Sequence, residues 1–525
     1  MIKSAETIRP LVLLLLLTLA VFANCLFNSF AYDDKVFVVN NPEIRHLTNV
    51  PGFFVSAKAY AGERNFFVYR PLAACSYACD YFFWGLRPFG FHLTNIFWHL
   101  LNVLLVYFLA LQLSPNRSTA LIAAGIFAIH PAQVETVAWI SARSNLLSLF
   151  FLLAACLCYL RNSRLNYKLS LLFFILALLA KETALVFLLL IWLYDYYFAL
   201  KEGKEKASNA WWSYLPFWIS AFLYLVLRTT VLGQFSQRSW WGGSFLVTAL
   251  TMSKSFLHYL AITIFPARLS IDYVFLLSHK LWEPEVLAGV LALITIIAVA
   301  LAVSHRRKLA AFGIFWFLIC LLPVSNIIPL EAHLAERFLY FPLIGFALAL
   351  ADTARSRRLP VLMLLTVLLL AYGWRSVERN RDWRNDFTLW SSAVRTSPES
   401  PRVHYALGDI YYQQGKFREA IDQYRQALEL NPNVAELYNA LGLAWEGLGD
   451  YRHSIAVYQE GLKVPSLENR AKISLMINLG NANGRLHNYK EAAAYYHKIL
   501  DLEPDDPEAR HNLAVIGRLS KNAVH

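Results

Sequence analysis

Charged residues are scarce in this chain. Only 16% of its 525 residues are Asp, Glu, Lys or Arg, whereas 57% are hydrophobic and 15% are aromatic. Because soluble domains carry about 25% charged residues, this composition excludes a soluble protein and indicates one that crosses a membrane several times. The net charge of +12 does not imply a nucleic-acid partner, since basic loops between membrane spans account for it.

Cysteine is also rare, and the positions of the six cysteines exclude a disulfide or metal framework. Four lie in apolar segments and two are one helical turn apart, which is not a ligand or disulfide pattern; they are Cys25, Cys156, Cys158 and Cys320, and Cys75 and Cys79. No metal-binding motif is visible. We therefore predict neither a metal nor a cofactor, although carboxylates of this chain could bind a divalent ion.

Apolar segments close to the length of a membrane span recur through the first 376 residues. They predict about eleven spans, at 10–27, 92–113, 118–130, 144–160, 169–180, 184–199, 212–231, 286–303, 309–323, 337–351 and 359–376. Short basic loops lie at Lys3–Arg9, Pro115–Arg117, Arg161–Lys168, Lys201–Lys206, His305–Lys308 and Arg355–Arg358. If these loops are cytoplasmic, the N-terminus is inside and everything after Tyr372 is outside. We interpret Leu246–Phe265, which contains Lys254 and His258, as an interfacial or re-entrant helix.

The last third of the chain contains an internal repeat. The pairs Leu407-Gly408, Leu441-Gly442 and Leu479-Gly480 align with one another, and Tyr424, Tyr458 and Tyr496 follow at a fixed distance. This is the tetratricopeptide pattern of paired helices. We predict units near 401–434, 435–468 and 473–506 and a capping helix at 507–519. Such a stack is typical of protein or peptide binding, although it could also serve only to stabilise or dimerise the protein.

The chain therefore divides into three predicted regions. A polytopic membrane domain covers 1–376 and has a long outer loop at 28–91, a connecting helix covers 377–398, and the repeat domain covers 399–525. The predicted fold is all-α, with helical spans followed by an α-solenoid.

Polar residues at the predicted outer ends of the spans form a candidate site. Asp33 and Asp34 follow the first span, where acidic residues invite a functional interpretation, although polar loops are also common there. The other candidates are Arg70, His92, His130, Glu135, Arg143, Lys181, Glu182, Glu336, Arg337 and Tyr340. Arg and Lys suit a lipid-linked phosphate, and the carboxylates supply bases. The alternative is structural: His130 ends a helix, and Lys181 with Glu182, or Glu336 with Arg337, form ion pairs.

Several of these motifs occur together in one order. They are Tyr32-Asp33-Asp34, Tyr69-Arg70-Pro71-Leu72, Gly90-Phe91-His92-Leu93-Thr94-Asn95, Ala128-Ile129-His130-Pro131 with Glu135 and Ala142-Arg143, Ala180-Lys181-Glu182, Leu322-Pro323-Val324-Ser325-Asn326, and Ala335-Glu336-Arg337-Phe338-Leu339-Tyr340. As a set, continued by Trp383 and the repeats, they resemble the transmembrane and tetratricopeptide repeat-containing O-mannosyltransferase family. The short repeat array indicates a bacterial relative.

The resemblance implies a GT-C-like glycosyltransferase that uses a polyprenyl-phosphate-linked sugar on the periplasmic or lumenal face. An acidic residue of the first outer loop, Asp33 or Asp34, would then be the catalytic base toward a Ser or Thr hydroxyl. Arg70, His130, Arg143, Lys181 and Arg337 become candidates for the donor phosphate, oriented by Glu135, Glu182 and Glu336. The expected partners are the lipid-linked sugar and a protein acceptor bound by the repeats, and the expected location is the bacterial inner membrane or the endoplasmic reticulum membrane.

Other functions fit parts of the sequence. A ligase that moves whole glycans from lipid to protein would share this architecture and need a roomier outer cavity. A non-catalytic scaffold would recruit envelope proteins through the repeats, but an anchor needs one span rather than about eleven. A transporter would place coupling charges near the midplane and show repeats in the membrane half, which we do not find.

Overall fold

A computed structural model of the chain describes residues 5–56, 60, 68–161, 163–199, 210–234, 239–330, 332–354, 359–465 and 467–522. All regular structure in these ranges is helical, without a strand, so the predicted all-α fold is confirmed. The basic loops predicted at Lys201–Lys206 and Arg355–Arg358, and Lys3 of the first one, lie outside the described residues.

The chain forms two compact units. The first contains Met1–Ile271 and Phe275–Leu389, and the second contains Asp272–Val274 and Trp390–His525. The α-helices up to the end of the last apolar helix are α1 Ala5–Phe22, α2 Pro71–Trp84, α3 Pro88–Leu113, α4 Arg117–Ile129, α5 Val134–Ala138, α6 Arg143–Leu160, α7 Arg164–Ala180, α8 Phe187–Tyr194, α9 Ala210–Leu232, α10 Phe245–Ile264, α11 Pro284–Val303, α12 Lys308–Leu321, α13 Pro342–Thr353 and α14 Leu359–Asp382.

Seven helices within the described ranges are long and apolar enough to cross a membrane: Ile8–Phe27, Pro88–Leu113, Ile140–Leu160, Trp212–Leu232, Phe245–Ile264, Pro284–Val303 and Leu359–Asp382. The bent pair α4 and α5 makes an eighth if it is one span. These are the helices of a multi-pass membrane protein. The predicted spans at 169–180, 184–199, 309–323 and 337–351 coincide with shorter or interrupted helices, because charged residues or proline break them, so the count of about eleven crossings stays a prediction.

Helix α10 satisfies the same length and composition criteria as the other spans. Its Lys254 is buried, and the Nζ atom lies 3.1 Å from a carboxylate oxygen of Glu283 and 3.4 Å from one of Glu285. A paired charge costs much less near hydrocarbon than an isolated one. The pairing removes the charge argument for an interfacial or re-entrant helix at Leu246–Phe265, and that interpretation stays a prediction.

Helices α12 and α13 approach each other closely at Gly313 and Gly345. A Cβ atom at Gly313 would lie 2.4 Å from the Gly345 carbonyl oxygen, and one at Gly345 would lie 2.2 Å from the Gly313 carbonyl oxygen. Only glycine permits this backbone contact. The contact holds α12 and α13 together, and the 3₁₀ helix Glu336–Leu339 lies in the segment that connects them.

The second unit consists of paired helices: α15 Asp386–Thr396, which contains the boundary between the units, then α16 Pro401–Gln413, α17 Phe417–Leu430, α18 Ala435–Gly447, α19 Tyr451–Gly461, α20 Asn469–Arg485, α21 Tyr489–Leu502 and α22 Pro507–Asn522. In each predicted repeat the tyrosine of the second helix lies against the glycine of the first, where a Cβ atom would be within 2.6 Å of the ring; the pairs are Gly408 with Tyr424, Gly442 with Tyr458 and Gly480 with Tyr496. The threefold recurrence of this contact explains the Leu-Gly signature.

Candidate functional site

The two adjacent aspartates in the loop after α1 lie in different environments. Tyr32 precedes them with φ of +57°, a left-handed conformation that is uncommon for a residue other than glycine. Its backbone N–H donates to Asp386 Oδ1 at 2.7 Å. The resulting turn leaves Asp33 half-buried and Asp34 fully buried.

Asp34 ties the loop after α1 to the turn before α6. Its Oδ1 accepts hydrogen bonds from the backbone N–H of Ser141 at 2.8 Å and from the Ser141 hydroxyl at 2.5 Å. Its Oδ2 accepts a bond from the backbone N–H of Ala31 at 3.1 Å. With both oxygens used inside the protein, Asp34 has the surroundings of a positioning residue rather than of a reacting group.

The stability contributed by Asp34 is expected to depend on pH. Burial raises the pKa of its carboxyl from 3.8 to about 7, against the opposing effect of its hydrogen bonds with Ser141 and Ala31. The folded state therefore holds this proton more tightly than the unfolded state, so stability is highest below about pH 4 and is lost as the pH rises to 7. We expect the difference in melting temperature between wild type and Asp34→Asn to shrink from pH 4.5 to 7.5 and then stay constant. Parallel curves over that range would contradict this.

Arg337 lies beside the loop that carries Asp33. Its Nη1 contacts Glu135 Oε1 at 2.5 Å, its backbone N–H donates to Glu135 Oε2 at 2.8 Å, and its guanidinium lies 5.3 Å from the centre of the Trp139 ring. The Tyr32 ring packs on the same indole at 5.3 Å. Burial lowers the pKa of Arg337, but attraction by Glu135, and more weakly by Asp33, raises it overall. The guanidinium is thus a permanent cation close to the Asp33 carboxylate.

Lys181 approaches Arg337 from the break between α7 and α8. Its Nζ donates to Asn145 Oδ1 at 2.6 Å, and both cations lie by the ring of Phe338, at 5.8 and 5.0 Å from its centre. The two side chains line a cavity of about 10 Å³, room for about one water molecule, with Asn145, Thr183, Cys320, Val324, Phe338 and Phe341. Burial, assisted by the charge of Arg70, lowers the pKa of Lys181 to about 7. An anion in the cavity would restore its charge.

Arg70 supplies a third cation. Its Nη1 donates to the Ser144 hydroxyl and its Nη2 to Glu182 Oε1, each at 3.3 Å. Burial alone would raise the pKa of Glu182, but the positive charges of Arg70, Lys181 and Arg228 lower that pKa to about 2. Glu182 is therefore a carboxylate at every physiological pH, and it orients Arg70 rather than transferring a proton.

Five of the predicted donor-site residues thus lie in one connected group in the first unit, which we call the cation group: Arg70, Glu135, Lys181, Glu182 and Arg337. These five side chains comprise three cations and two carboxylates, which leaves one positive charge in excess when Lys181 is protonated, and Arg228 of α9 adds a fourth cation near Glu182. Asp33 lies within electrostatic reach of this group through Arg337. This arrangement can hold an anion next to a carboxylate that accepts protons.

Arg143, in contrast, is fully buried and fully engaged. Its Nε donates to Asn95 Oδ1 and its Nη2 to the Phe91 carbonyl oxygen, each at 2.8 Å, and its Nη1 pairs with Asp80. The geometry is that of a structural ion pair joining α2, α3 and α6. It leaves no guanidinium edge for a phosphate.

Three of the remaining candidates have hydrogen-bond or ion-pair partners within the fold, and the fourth, His92, is buried. His130 accepts the Ala132 backbone N–H at 3.2 Å and contacts the Thr263 carbonyl oxygen at 3.0 Å. Glu336 pairs with Arg379 at 2.9 Å, with both side chains almost fully buried. The Tyr340 hydroxyl contacts His99 and Asn102 at 2.9 and 3.1 Å, and His92 is buried close to Arg143. The structure therefore does not bring these four residues to the cation group.

Three contributors to the group were not among the predicted site residues. Asn145 binds Lys181, Trp139 separates Arg337 from Tyr32, and Arg228 acts on Glu182 from α9. Trp139 and Asn145 lie next to motif residues in the sequence. Arg228 is the one charged residue in the apolar segment 212–231, and such a residue is a signal of function in a membrane span.

Relatives of known name match most of the chain. It is 25% identical over 447 residues to "Protein O-mannosyl-transferase F38B6.6" of Caenorhabditis elegans, covering 82% of this chain and 64% of the relative. It is 27% identical over 480 residues to "Protein O-mannosyl-transferase TMTC1" of Homo sapiens, covering 79% and 54%. The chain thus spans between about half and two thirds of the length of these relatives. The resemblance predicted from the motifs is confirmed.

The repeats are matched separately. Residues 408–449 match the family described as "TPR repeat", and residues 477–524 match "Tetratricopeptide repeat". Among solved structures, the "First TPR of Spaghetti (RPAP3) bound to HSP90 peptide SRMEEVD" is 24% identical with a TM-score of 0.22, covering 23% of this chain and 94% of that one. "Crystal structure of YrrB: a TPR protein with an unusual peptide-binding site" is 16% identical with a TM-score of 0.23, covering 33% and 84%.

Proposed function

We propose that the protein is a GT-C-type membrane glycosyltransferase that transfers a mannose-like sugar from a polyprenyl-phosphate donor to Ser or Thr of a protein. The observation that carries the proposal is the group of Arg70, Lys181 and Arg337, with Asp33 within electrostatic reach of Arg337. The names of the relatives support protein O-mannosyl transfer. No metal or cofactor is part of the proposed reaction.

The cation group suits the phosphate of a lipid-linked donor. Arg337 and Lys181 line the same cavity, and Cys320, Val324 and Phe341 give that cavity an apolar side. The cavity of about 10 Å³ has room for about one water molecule, so these side chains must move apart for a phosphate to enter. A polyprenyl phosphate has the same two parts, a charged headgroup and an apolar chain. The guanidinium groups would bind the phosphate oxygens and stabilise the charge that builds up on them as the sugar leaves.

Asp33 is the proposed base. The acceptor hydroxyl oxygen forms a bond to the anomeric carbon of the sugar while the bond from that carbon to the phosphate oxygen breaks. The bonding electron pair goes to the phosphate, and the hydroxyl proton goes to Asp33. Asp34 and Tyr32 hold the turn that presents Asp33, through Ser141, Ala31 and Asp386.

The proposed orientation places this site on the periplasmic or lumenal side, with the N-terminus in the cytoplasm and the repeats on the same side as the site. The acceptor would be recruited by the repeats. The test is transfer of radiolabelled sugar from a panel of polyprenyl-phosphate donors to membrane proteins by the purified full chain. Transfer from a single-sugar donor supports the proposal, and transfer only of preassembled glycans would replace it by a ligase.

Replacing Lys181 should weaken donor binding more than it affects folding. Lys181→Met keeps the length of the buried side chain but removes the charge, so we expect the KM for the donor to rise about 10- to 100-fold, by analogy with the loss of a charged hydrogen bond of about 1.5–3 kcal/mol. In the wild type the KM should rise as the pH passes about 7, because Lys181 loses its proton there. Initial rates at several donor concentrations measure both effects.

The exposed Lys463, which pairs with Glu460 on the surface of the second unit, provides the matched control. Lys463→Met should leave the KM unchanged. An unchanged donor KM in Lys181→Met would remove Lys181 from the phosphate site.

A further inference from the structure

The second unit contains a groove of about 330 Å³ across its inner helices. Tyr405, Asp409 and Tyr412 of α16, and Glu436, Asn439 and Leu443 of α18, line it at helical spacings of three or four residues. These spacings place each set on one face of its helix. Ala471 and Ser474 of α20 continue the wall, so the groove runs across the first helices of three successive repeats.

The charge of the groove is predominantly negative. Asp409, Glu436 and Glu468 line it together with one cation, Arg470. Neither Glu436 nor Glu468 forms an ion pair with any described residue, and both are exposed. Two exposed carboxylates without a cationic partner in a concave site raise the local concentration of positive groups.

The floor of the groove offers groups that recognise a peptide backbone. The amide of Asn478 donates to Asn439 Oδ1 at 2.7 Å, which fixes the Asn439 side chain and directs its NH₂ group away from that bond. Ala435, Ala440 and Leu443 give apolar contact between the carboxylates. Adjacent helices lie about 8–10 Å apart, so three helices span roughly 20 Å, the length of about six extended residues at about 3.3 Å each.

We propose that this groove binds an extended segment of a partner protein with Lys or Arg at its centre. The cationic side chain lies between Asp409 and Glu436, and Glu468 favours a second basic residue next to it. Asn439 donates to a backbone carbonyl oxygen of the segment. The proposal concerns binding alone and holds whether or not the first unit transfers sugar.

Binding of an octapeptide library to the full-length protein in detergent tests this. Each pool has one fixed residue at one position, and the best peptide is then labelled with fluorescein for anisotropy. We expect pools with Lys or Arg at one or two adjacent central positions to be enriched at least fivefold. Replacing that residue by norleucine, which keeps the length but not the charge, should weaken binding about tenfold, and the affinity should fall with added salt.

Substitutions of the groove carboxylates test whether the preference for Lys or Arg peptides comes from the groove. Glu436→Gln and, independently, Glu468→Gln should each weaken the selected peptide about three- to tenfold, and Glu436→Lys should favour acidic pools. Glu460→Gln is the control, because Glu460 is an exposed glutamate on α19 outside the groove. Equal binding by Glu436→Gln and Glu460→Gln, enrichment of acidic or uncharged pools by the wild type, or no binding of any pool would each overturn the proposal. Since no sugar donor is present, these results leave the proposed transfer reaction untouched.

Discussion

Asp33→Asn is expected to lower sugar transfer about 10³-fold while the protein folds normally. The substitution removes the proposed base but keeps the size of a half-buried side chain, and general base catalysis contributes about 10²–10⁴-fold in enzymes. The KM for the donor should change little, because the phosphate contacts come from Arg70, Lys181 and Arg337. The measurement is single-turnover transfer of labelled sugar by equal amounts of folded wild-type and variant protein.

The neighbouring aspartate gives the matched comparison. Each carboxylate oxygen of Asp34 accepts a backbone N–H, one from Ser141 and the other from Ala31. In Asp34→Asn one of these oxygens becomes an NH₂ group, so two donors face each other and one hydrogen bond is lost. We expect a lower melting temperature and a smaller loss of activity per folded molecule. If Asp34→Asn abolished transfer at full stability and Asp33→Asn did not, the two roles would be exchanged.

Arg143→Ala is expected to destabilise the first unit by about 3–5 kcal/mol. Arg143 is completely buried. Its removal leaves Asp80 buried without a cation and takes a donor from four further acceptor atoms, which belong to Ser76, Phe91 and Asn95. Breaking a buried ion pair by removing one partner costs this amount, much of it from the uncompensated charge. Melting in detergent and the yield of monodisperse protein measure the effect.

A second substitution separates this structural role from donor binding. Arg143→Ala combined with Asp80→Ala should be less destabilised than the sum of the two single variants, because the double variant leaves no unpaired charge. Folded Arg143→Ala molecules should keep the donor KM of the wild type. Normal melting with a raised KM would instead restore Arg143 to the phosphate site.

The sequence predicted the helical architecture well because the signals for it are long or repeated. Apolar segments of about 20 residues predict membrane helices, and a motif that occurs three times predicts a stack of helix pairs. Span counting was harder where a segment is interrupted, as at Lys181 and Glu182 or at Pro131. In the structure such segments form short helices joined by 3₁₀ turns, and hydropathy alone does not separate a broken helix from a turn between two spans.

Individual site residues were harder to assign. Arg143 and Arg337 both lie in motifs with nearby carboxylates, yet one is sealed among α2, α3 and α6 and the other lines a cavity. The difference depends on which distant residue supplies the counter-charge, Asp80 or Glu135, and sequence spacing does not encode that pairing. The same reason explains why Arg228, distant in sequence from every motif, was not predicted.

The excess of positive charge around Arg70, Lys181 and Arg337 has a consequence for turnover. In the proposed reaction the donor is a phosphodiester with one negative charge, whereas the spent carrier is a phosphomonoester with between about 1.5 and 2 negative charges near pH 7. The same three cations therefore hold the spent lipid more tightly than the fresh one. In the proposed reaction, the site that favours departure of the sugar therefore also retards departure of its carrier.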